Sequence, residues 1–244
     1  MPRALIINAD DFGYDPAVTR GIAESMRQGI VNSTTLMVNT PHSEDAAKQA
    51  QGLSIGLHFN LARHPPLSPQ FPRALLAGGE LSEARAEEIP AQAARAEALA
   101  QLERLSALLG RPATHVDVHK HLHRHPQVLA GLAAAAKERS LPVRSIDVPM
   151  RAYLRGQGVA TNDHFIGDAG AESYWTMDQL RAQLTALPKE GVVELMCHPG
   201  YAPTTLKSGY SIQREGELAT FLNPEAAALV KRLGIRLETF AAAR

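Results

Sequence analysis

The chain has 244 residues, and its 25 Lys plus Arg balance 25 Asp plus Glu, so the formal net charge is zero. Binding to nucleic acid or to an anionic membrane requires a surplus of basic residues, and neither partner is therefore expected. The 45% hydrophobic and 20% charged residues are typical of a packed globular protein. A single cysteine cannot form an intramolecular disulfide, and no apolar stretch has the length of a signal peptide or a membrane span. We therefore expect a cytoplasmic protein.

Seven short segments are rich in β-branched residues and bounded by turn residues, a pattern typical of strands. They span residues 4–8, 34–39, 54–60, 114–118, 143–148, 192–197 and 235–238. Helix-like segments lie between them, with start and stop signals at 15–29, 126–139, 176–184 and 223–234. Strands that alternate with helices predict parallel pairing, in either an α/β barrel or a doubly wound sheet.

The segment 82–109 has leucines at helical spacing and predicts a long amphipathic helix, broken or begun afresh near Pro90. We expect this helix to cover one face of the sheet or to contact a partner subunit. No internal repeat or long Gly/Ser linker divides the chain, so one domain over residues 1–244 is expected.

Acidic and imidazole side chains follow the ends of four predicted strands. These residues are Asp10 and Asp11 after the first strand, His58 at the end of the third, His119, His121 and His123 after the fourth, and His198 after the sixth. In parallel α/β folds the carboxyl ends of the strands meet at one edge, where ligands and catalytic groups collect. Four separate regions of sequence thus point to one site.

Carboxylate and imidazole together are a ligand set for Zn, Mn, Fe, Co or Ni. Three protein ligands with an open position for water form a catalytic type of metal site, and one Asp with two His would suffice. In the adjacent pair Asp10 and Asp11, one carboxylate can face the metal and the other the attacking water. The residues alone leave two alternatives open: the Asp pair caps a turn, and the five histidines between His115 and His125 form a solvated tract.

His198 lies in the segment MCHPGY, directly after a strand. An imidazole has a pKa range suited to proton transfer, although a hydrogen-bonded core histidine is the alternative. Cys197 is expected to be buried rather than nucleophilic. Arg144 and Arg151 can shape the sites around a substrate, but the sequence supplies no reason to assign either a catalytic role.

Five blocks of this sequence, in the same order along the chain, resemble the YdjC-like carbohydrate deacetylase family, which includes the chitooligosaccharide deacetylases of bacteria. The blocks are NADDFG at 8–13, GIVNSTTLMVN at 29–39, IGLHFNL at 55–61, THVDVHKHLH at 114–123 and MCHPGY at 196–201. The resemblance implies an α/β fold, a single-domain deformed (β/α) barrel of about seven strands of the polysaccharide-deacetylase kind.

The resemblance also implies the roles of the polar residues. It implies one divalent metal ion, Mg or Zn, bound by Asp11, His58 and His119, with Asp10 as the general base and His198 as the acid that protonates the leaving amine. Three further residues are expected near the metal ligands or at the edge of the substrate site: Asp117, His121 and His123.

The function that follows is a metal-dependent hydrolase that removes acetyl groups from short N-acetylated sugars. Two alternatives stay open: a metal-dependent barrel hydrolase of a non-sugar amide or ester, and a non-catalytic protein that binds a saccharide or a metal. The resemblance further points to a homodimer, with the helix over 82–109 as the expected contact.

Overall fold

A parallel sheet forms the centre of the computed structural model, which describes residues 4–243. Its strands are β1 (Ala4–Phe12), β2 (Ser33–Leu36), β3 (Ile55–Phe59), β4 (Val116–Val118), β5 (His164–Ile166), β6 (Val192–Cys197) and β7 (Arg236–Leu237). The strand order is β4-β3-β2-β1-β6-β5, with β7 beside the start of β1. All nine residues of β1 are buried, as expected for the central strand of a sheet that is covered on both faces.

The sheet curls into a deformed barrel because irregular chain, rather than a strand, fills the space between β4 and β5. Val143 forms a single bridge to Val116 of β4, and its backbone N–H donates to the carbonyl of Ala160. The backbone N–H of Asp163 donates in turn to the carbonyl of Val192 in β6. The predicted fold class, a deformed (β/α) barrel of about seven strands, is confirmed.

Eight α-helices surround the sheet within residues 4–243. They are α1 (Pro16–Gln28), α2 (Ser43–Lys48), α3 (Ala91–Leu109), α4 (Pro126–Glu138), α5 (Val148–Gly156), α6 (Met177–Ala186), α7 (Gln213–Leu222) and α8 (Pro224–Arg232). Short 3₁₀ helices span Arg73–Leu75, Glu83–Glu88, His119–Arg124 and Phe240–Ala242. Helices α3 and α4 pack closely at Gly131, where a Cβ atom would lie 2.3 Å from the carbonyl oxygen of Ala91.

The helix signals in the sequence are largely confirmed. Asp15 caps α1 by accepting a hydrogen bond from the backbone of Ala17, Thr176 caps α6 through Gln179, and Asn223 caps α8. The segment 82–109 is interrupted as predicted, with a 3₁₀ helix before Pro90 and α3 after it. Helices α2, α5 and α7 were not predicted.

The prediction of a strand over residues 143–148 is wrong. After Val143, the backbone N–H of Ser145 donates to the side chain of Asn162 instead of a neighbouring strand, and Asp147 caps α5 by accepting from the backbone of Met150. The β-branched Val148 therefore begins a helix. The three-residue β5 was missed because it is short and only half-buried.

Candidate active site

An irregularity at the end of β1 brings two consecutive carboxylates to one place. Ala9 pairs with Thr34 and Phe12 with Leu36, so three steps along β1 oppose two along β2. Within this bulge Asp11 adopts a left-handed backbone conformation, with φ of 75°. Neighbouring side chains of a regular strand point to opposite faces, whereas here Asp10 and Asp11 both line one cavity.

The cavity has a volume of about 430 Å³ and opens at the carboxyl ends of the strands. Six of the predicted site residues line it: Asp10, Asp11, His58, His119, His121 and His198. The side chains of Tyr14 and Tyr210 are the aromatic residues in its wall. Asp117 and His123 lie behind this surface, and both are fully buried.

Three donor atoms converge within the cavity, and we call Asp11, His58 and His119 the metal-type cluster. The Oδ1 atom of Asp11 lies 3.2 Å from Nε2 of His58 and 3.0 Å from Nδ1 of His119. The two ring nitrogens are 3.1 Å apart. All three side chains are buried, and Nε2 of His119 has no hydrogen-bond partner among the described residues.

Asp117 fixes the orientation of the His58 ring. Its Oδ1 atom lies 2.6 Å from Nδ1 of His58, and its Oδ2 atom accepts a hydrogen bond of 2.8 Å from the hydroxyl of Thr35. Because Asp117 engages Nδ1 of His58, Nε2 is the ring nitrogen that faces Asp11 and His119. This is the contact that a carboxylate beside a metal-bound imidazole would make.

Negative charge around His58 favours a cation in the metal-type cluster. Burial alone would lower the pKa of His58, but the charge of Asp117 and the hydrogen bond with Asp11 outweigh burial and raise the pKa to about 10. Burial would also raise the pKa of Asp11, yet the charges of Arg214 and His119 hold that pKa well below its usual range. Without a metal ion, the ring of His58 therefore carries a second proton and a positive charge.

Arg144 forms the centre of a second group of buried charges, which we call the Arg144 cluster. Its guanidinium donates to both oxygens of Asp10, at 2.6 and 2.7 Å, and lies 2.6 Å from Glu194 and 2.9 Å from Asp117. Burial would raise the pKa of Asp10, but Arg144 lowers it far below the usual range. Asp10 is thus held ionised and in one orientation.

Asn8 supports Asp10 from the opposite side. Its amide nitrogen donates to Oδ1 of Asp10 at 2.9 Å, while its amide oxygen lies 3.2 Å from Nε2 of His115. The His115 ring is stacked on Phe240, with the ring centroids 3.8 Å apart. A buried chain of contacts therefore runs from Phe240 through His115 and Asn8 to the carboxylate of Asp10 in the cavity.

Arg214 contacts Asp11 from helix α7. Its guanidinium donates to Oδ2 of Asp11 at 2.6 Å, which leaves Oδ1 of Asp11 facing the two imidazoles. Arg214 is buried beside the ring of Tyr14, and the guanidinium carbon of Arg63 lies 4.9 Å from the centroid of the same ring. Arg214 thus determines which oxygen of Asp11 is available to an ion.

His198 is held by its backbone rather than by its ring. Its N–H donates to Glu217 at 2.5 Å, and the hydroxyl of Tyr210 donates to the other oxygen of Glu217. The Nδ1 atom of His198 has no hydrogen-bond partner among the described residues. Burial lowers the pKa of His198 to about 4 although Asp10 and Asp11 oppose that shift, so the ring is neutral near pH 7. Burial also raises the pKa of Glu217 to about 7.

The two buried groups differ in whether they fit a metal ion. In the metal-type cluster the donor atoms lie 3.0–3.2 Å apart, and carboxylate plus imidazole suits a divalent metal. Asp10, His58 and Asp117 also lie close enough to share an ion. However, the guanidinium of Arg144 already contacts both of those carboxylates. Asp11, His58 and His119 therefore fit a metal better.

Sequence reasoning missed four residues that shape this site: Arg63, Arg214, Tyr210 and Glu217. It considered Arg144 only as a residue that can shape the sites around a substrate, whereas the guanidinium of Arg144 contacts Asp10. Arg144 and Arg214 contact their aspartates across 134 and 203 residues of sequence, so no local pattern could pair them. The three histidines that follow β4 are not on extended chain, because β4 ends at Val118 and a 3₁₀ helix follows.

The fold and the cavity define a (β/α) barrel with a buried carboxylate and imidazole site at the carboxyl ends of its strands. The chain belongs to the YdjC-like family, whose model, described as YdjC-like protein, matches residues 4–232.

Similar proteins carry deacetylase names. A carbohydrate deacetylase of Geobacillus stearothermophilus is 36% identical, and a chitooligosaccharide deacetylase of Proteus mirabilis is 35% identical; each alignment covers 98% of both chains. The crystal structure of a proposed cellobiose-phosphate cleavage protein from Enterococcus faecalis V583 superposes with a TM-score of 0.86 at 29% identity. That match covers 99% of this chain and 98% of the other.

Proposed function

We propose that this chain is a metal-dependent deacetylase that removes acetyl groups from short N-acetylated sugars. One observation carries the proposal: a single cavity joins the metal-type cluster to a separate carboxylate, Asp10, and a separate imidazole, His198. The deacetylase names of the relatives support an acetylated sugar as the substrate. The cavity volume of about 430 Å³ lies within the range of small-molecule sites and favours a short sugar.

Asp11, His58 and His119 would hold the ion, for which we propose Mg or Zn. A divalent ion bound there supplies a Lewis acid, which lowers the pKa of a bound water and polarises an amide carbonyl. Asp117 holds the ring of His58 in the orientation that this requires, and Arg214 does the same for the carboxylate of Asp11.

Asp10 accepts the proton of the attacking water. Its carboxylate stays ionised because Arg144 donates to both of its oxygens, and Asn8 adds a third hydrogen bond. These contacts lower the basicity of Asp10, so proton transfer to it depends on a water that is itself more acidic than bulk water. The same contacts prevent Asp10 from turning toward His58 as a fourth ligand.

His198 donates the proton that the leaving amine needs. The ring is neutral at rest, so it must take up a proton during the reaction. Once Asp10 has taken the proton of the water, the charges on the substrate oxygen and on Asp11 favour uptake of a proton by the ring from solvent, and Asp10 returns its own proton to solvent after the amine leaves. Glu217 accepts from the backbone N–H of His198 and is itself held by the hydroxyl of Tyr210. His198 therefore keeps its position when its ring gains or loses a proton.

Acetate release from a panel of substrates tests the proposal. The panel contains N-acetylglucosamine oligomers, acetylated non-sugar amides and an aryl acetate, each with and without a chelator. We expect acetate from the short sugars, loss of activity with chelator, and recovery on adding Zn or Mg. Activity on non-sugar amides alone would favour the alternative barrel hydrolase, and activity that resists complete removal of metal would contradict the mechanism.

Two variants separate the roles of the chain's own residues. Asp10→Asn should keep the metal and lose turnover, whereas a protein that only binds saccharide or metal would be unaffected in function. His198→Ala should lose activity on the sugar amides and keep most activity on the aryl acetate, because a phenolate leaves without being protonated. Equal losses of activity on both substrates would show that His198 does not protonate the leaving group.

Three expectations from the sequence stay predictions: one domain over residues 1–244, a cytoplasmic location and a homodimer. Within residues 4–243, no helix combines the length and the apolar composition needed to cross a membrane. Light scattering of the purified protein measures the oligomeric state directly.

A further inference from the structure

One arginine in the wall of the cavity has no carboxylate partner. Arg63 follows β3, and its guanidinium carbon lies 4.9 Å from the centroid of the Tyr14 ring. Both residues line the cavity that contains the metal-type cluster. The side chain is half-buried, and its two terminal nitrogens form no hydrogen bond or ion pair with any residue from 4 to 243. The end of this cation is therefore available to a group that enters the cavity.

Most of the other lysines and arginines in the cavity wall have partners within the protein. Arg214 donates to Asp11 at 2.6 Å, and Lys120 forms an ion pair with Glu83. Arg124 donates to two backbone carbonyls of its own turn, each at 3.2 Å. These three cations are held by groups of the chain itself, so they are less available to a substrate than an unpartnered guanidinium is.

Buried amide side chains hold the backbone that carries Arg63. Its carbonyl accepts hydrogen bonds from the amide of Asn60 at 3.0 Å and from that of Asn39 at 3.4 Å. Asn60 is held in turn by Gln101, which bonds to both its backbone N–H and its carbonyl. No such contact fixes Lys207, the remaining cation of the wall, within the described part of the chain. Arg63 is thus an available cation on a fixed backbone.

Arg63 and the proposed base lie beside different members of the metal-type cluster. The ring of Tyr14, which Arg63 covers, lies 6.0 Å from the ring of His119. Burial lowers the pKa of His119, and the charge of Arg63 adds to that shift, so the guanidinium is within electrostatic reach of the ring. Asp10 lies beside His58 instead, close enough to share an ion with it.

We propose that Arg63 stabilises the negative charge that develops on the acyl oxygen during deacetylation. The proposal rests on the deacetylase function proposed above and adds one catalytic residue to it. As the water oxygen bonds to the acyl carbon, a water proton passes to Asp10 and the π pair of the carbonyl moves onto the acyl oxygen. The guanidinium of Arg63 donates to that oxygen. When the pair returns, the C–N bond breaks and the amine takes the proton of His198.

An anionic group on the substrate is the competing partner for the same guanidinium. The two roles differ in their kinetics. A contact made only in the transition state lowers kcat and kcat/KM together, whereas a contact with a charge already present on the substrate raises KM. An uncharged substrate therefore isolates the proposed role.

Arg63→Met keeps an unbranched side chain beside Tyr14 and removes the charge. On diacetylchitobiose, which is uncharged, kcat should fall about a hundredfold, the scale seen on losing a donor to an oxyanion, while KM stays within about twofold. Metal content should be unchanged. Arg63→Lys, which keeps the charge, should retain more activity than Arg63→Met. Lys207→Met, the matched variant that removes the unfixed cation of the same wall, should lower kcat far less.

Binding measurements test the contact without turnover. Acetate carries negative charge on the former acyl oxygen, so calorimetry of the metal-loaded protein should show a dissociation constant for acetate that rises severalfold in Arg63→Met. In the Asp10→Asn background, diacetylchitobiose should bind equally well with and without Arg63→Met, because the uncharged ground state gains little from the guanidinium.

Three results would overturn the proposal. They are an unchanged kcat in Arg63→Met, an equal loss of kcat in Lys207→Met, and a rise in KM that is confined to a phosphorylated sugar. The last result would assign Arg63 to an anionic group of the substrate. A wild-type protein that releases no acetate from any sugar would overturn the proposed function, and the acetate titration would still show whether Arg63 binds a charged acyl oxygen.

Discussion

Two groups of buried charge lie side by side in this barrel, and Asp117 contacts both, yet they are balanced in different ways. In the Arg144 cluster, three carboxylates surround a guanidinium that the chain itself provides. In the metal-type cluster, a carboxylate and two imidazoles face one another, and the guanidinium of Arg214 contacts the other oxygen of that carboxylate, away from the imidazoles. One group is complete with its own residues and fixes a carboxylate, while the other is suited to a cation from outside.

The largest expected effect comes from removing the internal cation. Arg144→Met leaves Asp10, Asp117 and Glu194 buried without their partner, and loss of one member of a buried ion pair typically costs about 3–5 kcal/mol of stability. Urea unfolding should show a loss of this size. Arg139→Met, which removes an exposed contact with Glu103, should leave stability unchanged. A small loss in Arg144→Met would mean that the carboxylates of the cluster do not depend on Arg144.

Removing a carboxylate from the other group should affect the metal rather than the fold. Asp11→Asn takes the only anionic donor out of the metal-type cluster, so metal affinity should fall by more than about a hundredfold, beyond the typical effect of residues that only support a ligand. Competition with a chromogenic chelator measures the change. Asp10→Asn is the matched control on the neighbouring residue, and an equal loss of metal there would erase the distinction between the two groups.

Asp117 tests the contact between the groups, because one of its oxygens faces His58 and the other faces Arg144. Asp117→Asn should weaken metal binding by about 10–100-fold, the usual effect of replacing a group that orients a metal ligand. Thr35→Val removes a hydrogen bond to the same carboxylate while keeping its charge, and should cost less. Full metal affinity in Asp117→Asn would show that the orientation of His58 is set elsewhere.

The smallest effect concerns Glu217, which lies in neither group and accepts hydrogen bonds from the backbone of His198 and the hydroxyl of Tyr210. Its pKa of about 7 in the folded protein exceeds the ordinary value of 4.5, so the folded state binds its proton more tightly. The stability that this supplies is complete below about pH 4.5 and is lost as pH rises through about 7.

Glu217→Gln cannot titrate at this position, so its stability relative to wild type should improve by about 1–2 kcal/mol from pH 4.5 to about pH 6. Urea unfolding across this range measures the trend. Glu215→Gln, an exposed change on the same helix, should show none. A constant difference between Glu217→Gln and wild type would mean that folding leaves the pKa of Glu217 unchanged.

Much of the barrel and of the metal-type cluster could be predicted because both follow from local patterns. Strand ends are marked by a change from apolar to polar residues, and parallel pairing brings those ends together, so Asp11, His58 and His119 could be grouped without coordinates. Their roles as metal ligands stay predictions.

The Arg144 cluster could not be predicted in this way. Arg144 occupies a segment whose β-branched residues indicate a strand, whereas the next residue, Ser145, donates its backbone N–H to the side chain of Asn162. The side chain of Arg144 is held by distant carboxylates. Arg214 similarly lies on a helix that has no clear start signal in the sequence. Its guanidinium packs near the rings of Tyr14 and Tyr210, which are distant in sequence or on another element. Interactions between distant residues, rather than propensity, decide these positions.

The bulge in β1 limits how this site could be transferred to another protein. Grafting the dipeptide Asp10-Asp11 onto a regular strand of a designed barrel would send one carboxylate into the cavity and the other into the helical layer behind it. A designer would also have to copy the left-handed turn of the chain at Asp11 and the offset that pairs Phe12 with Leu36. The bulged backbone and the two aspartates must therefore be transferred together.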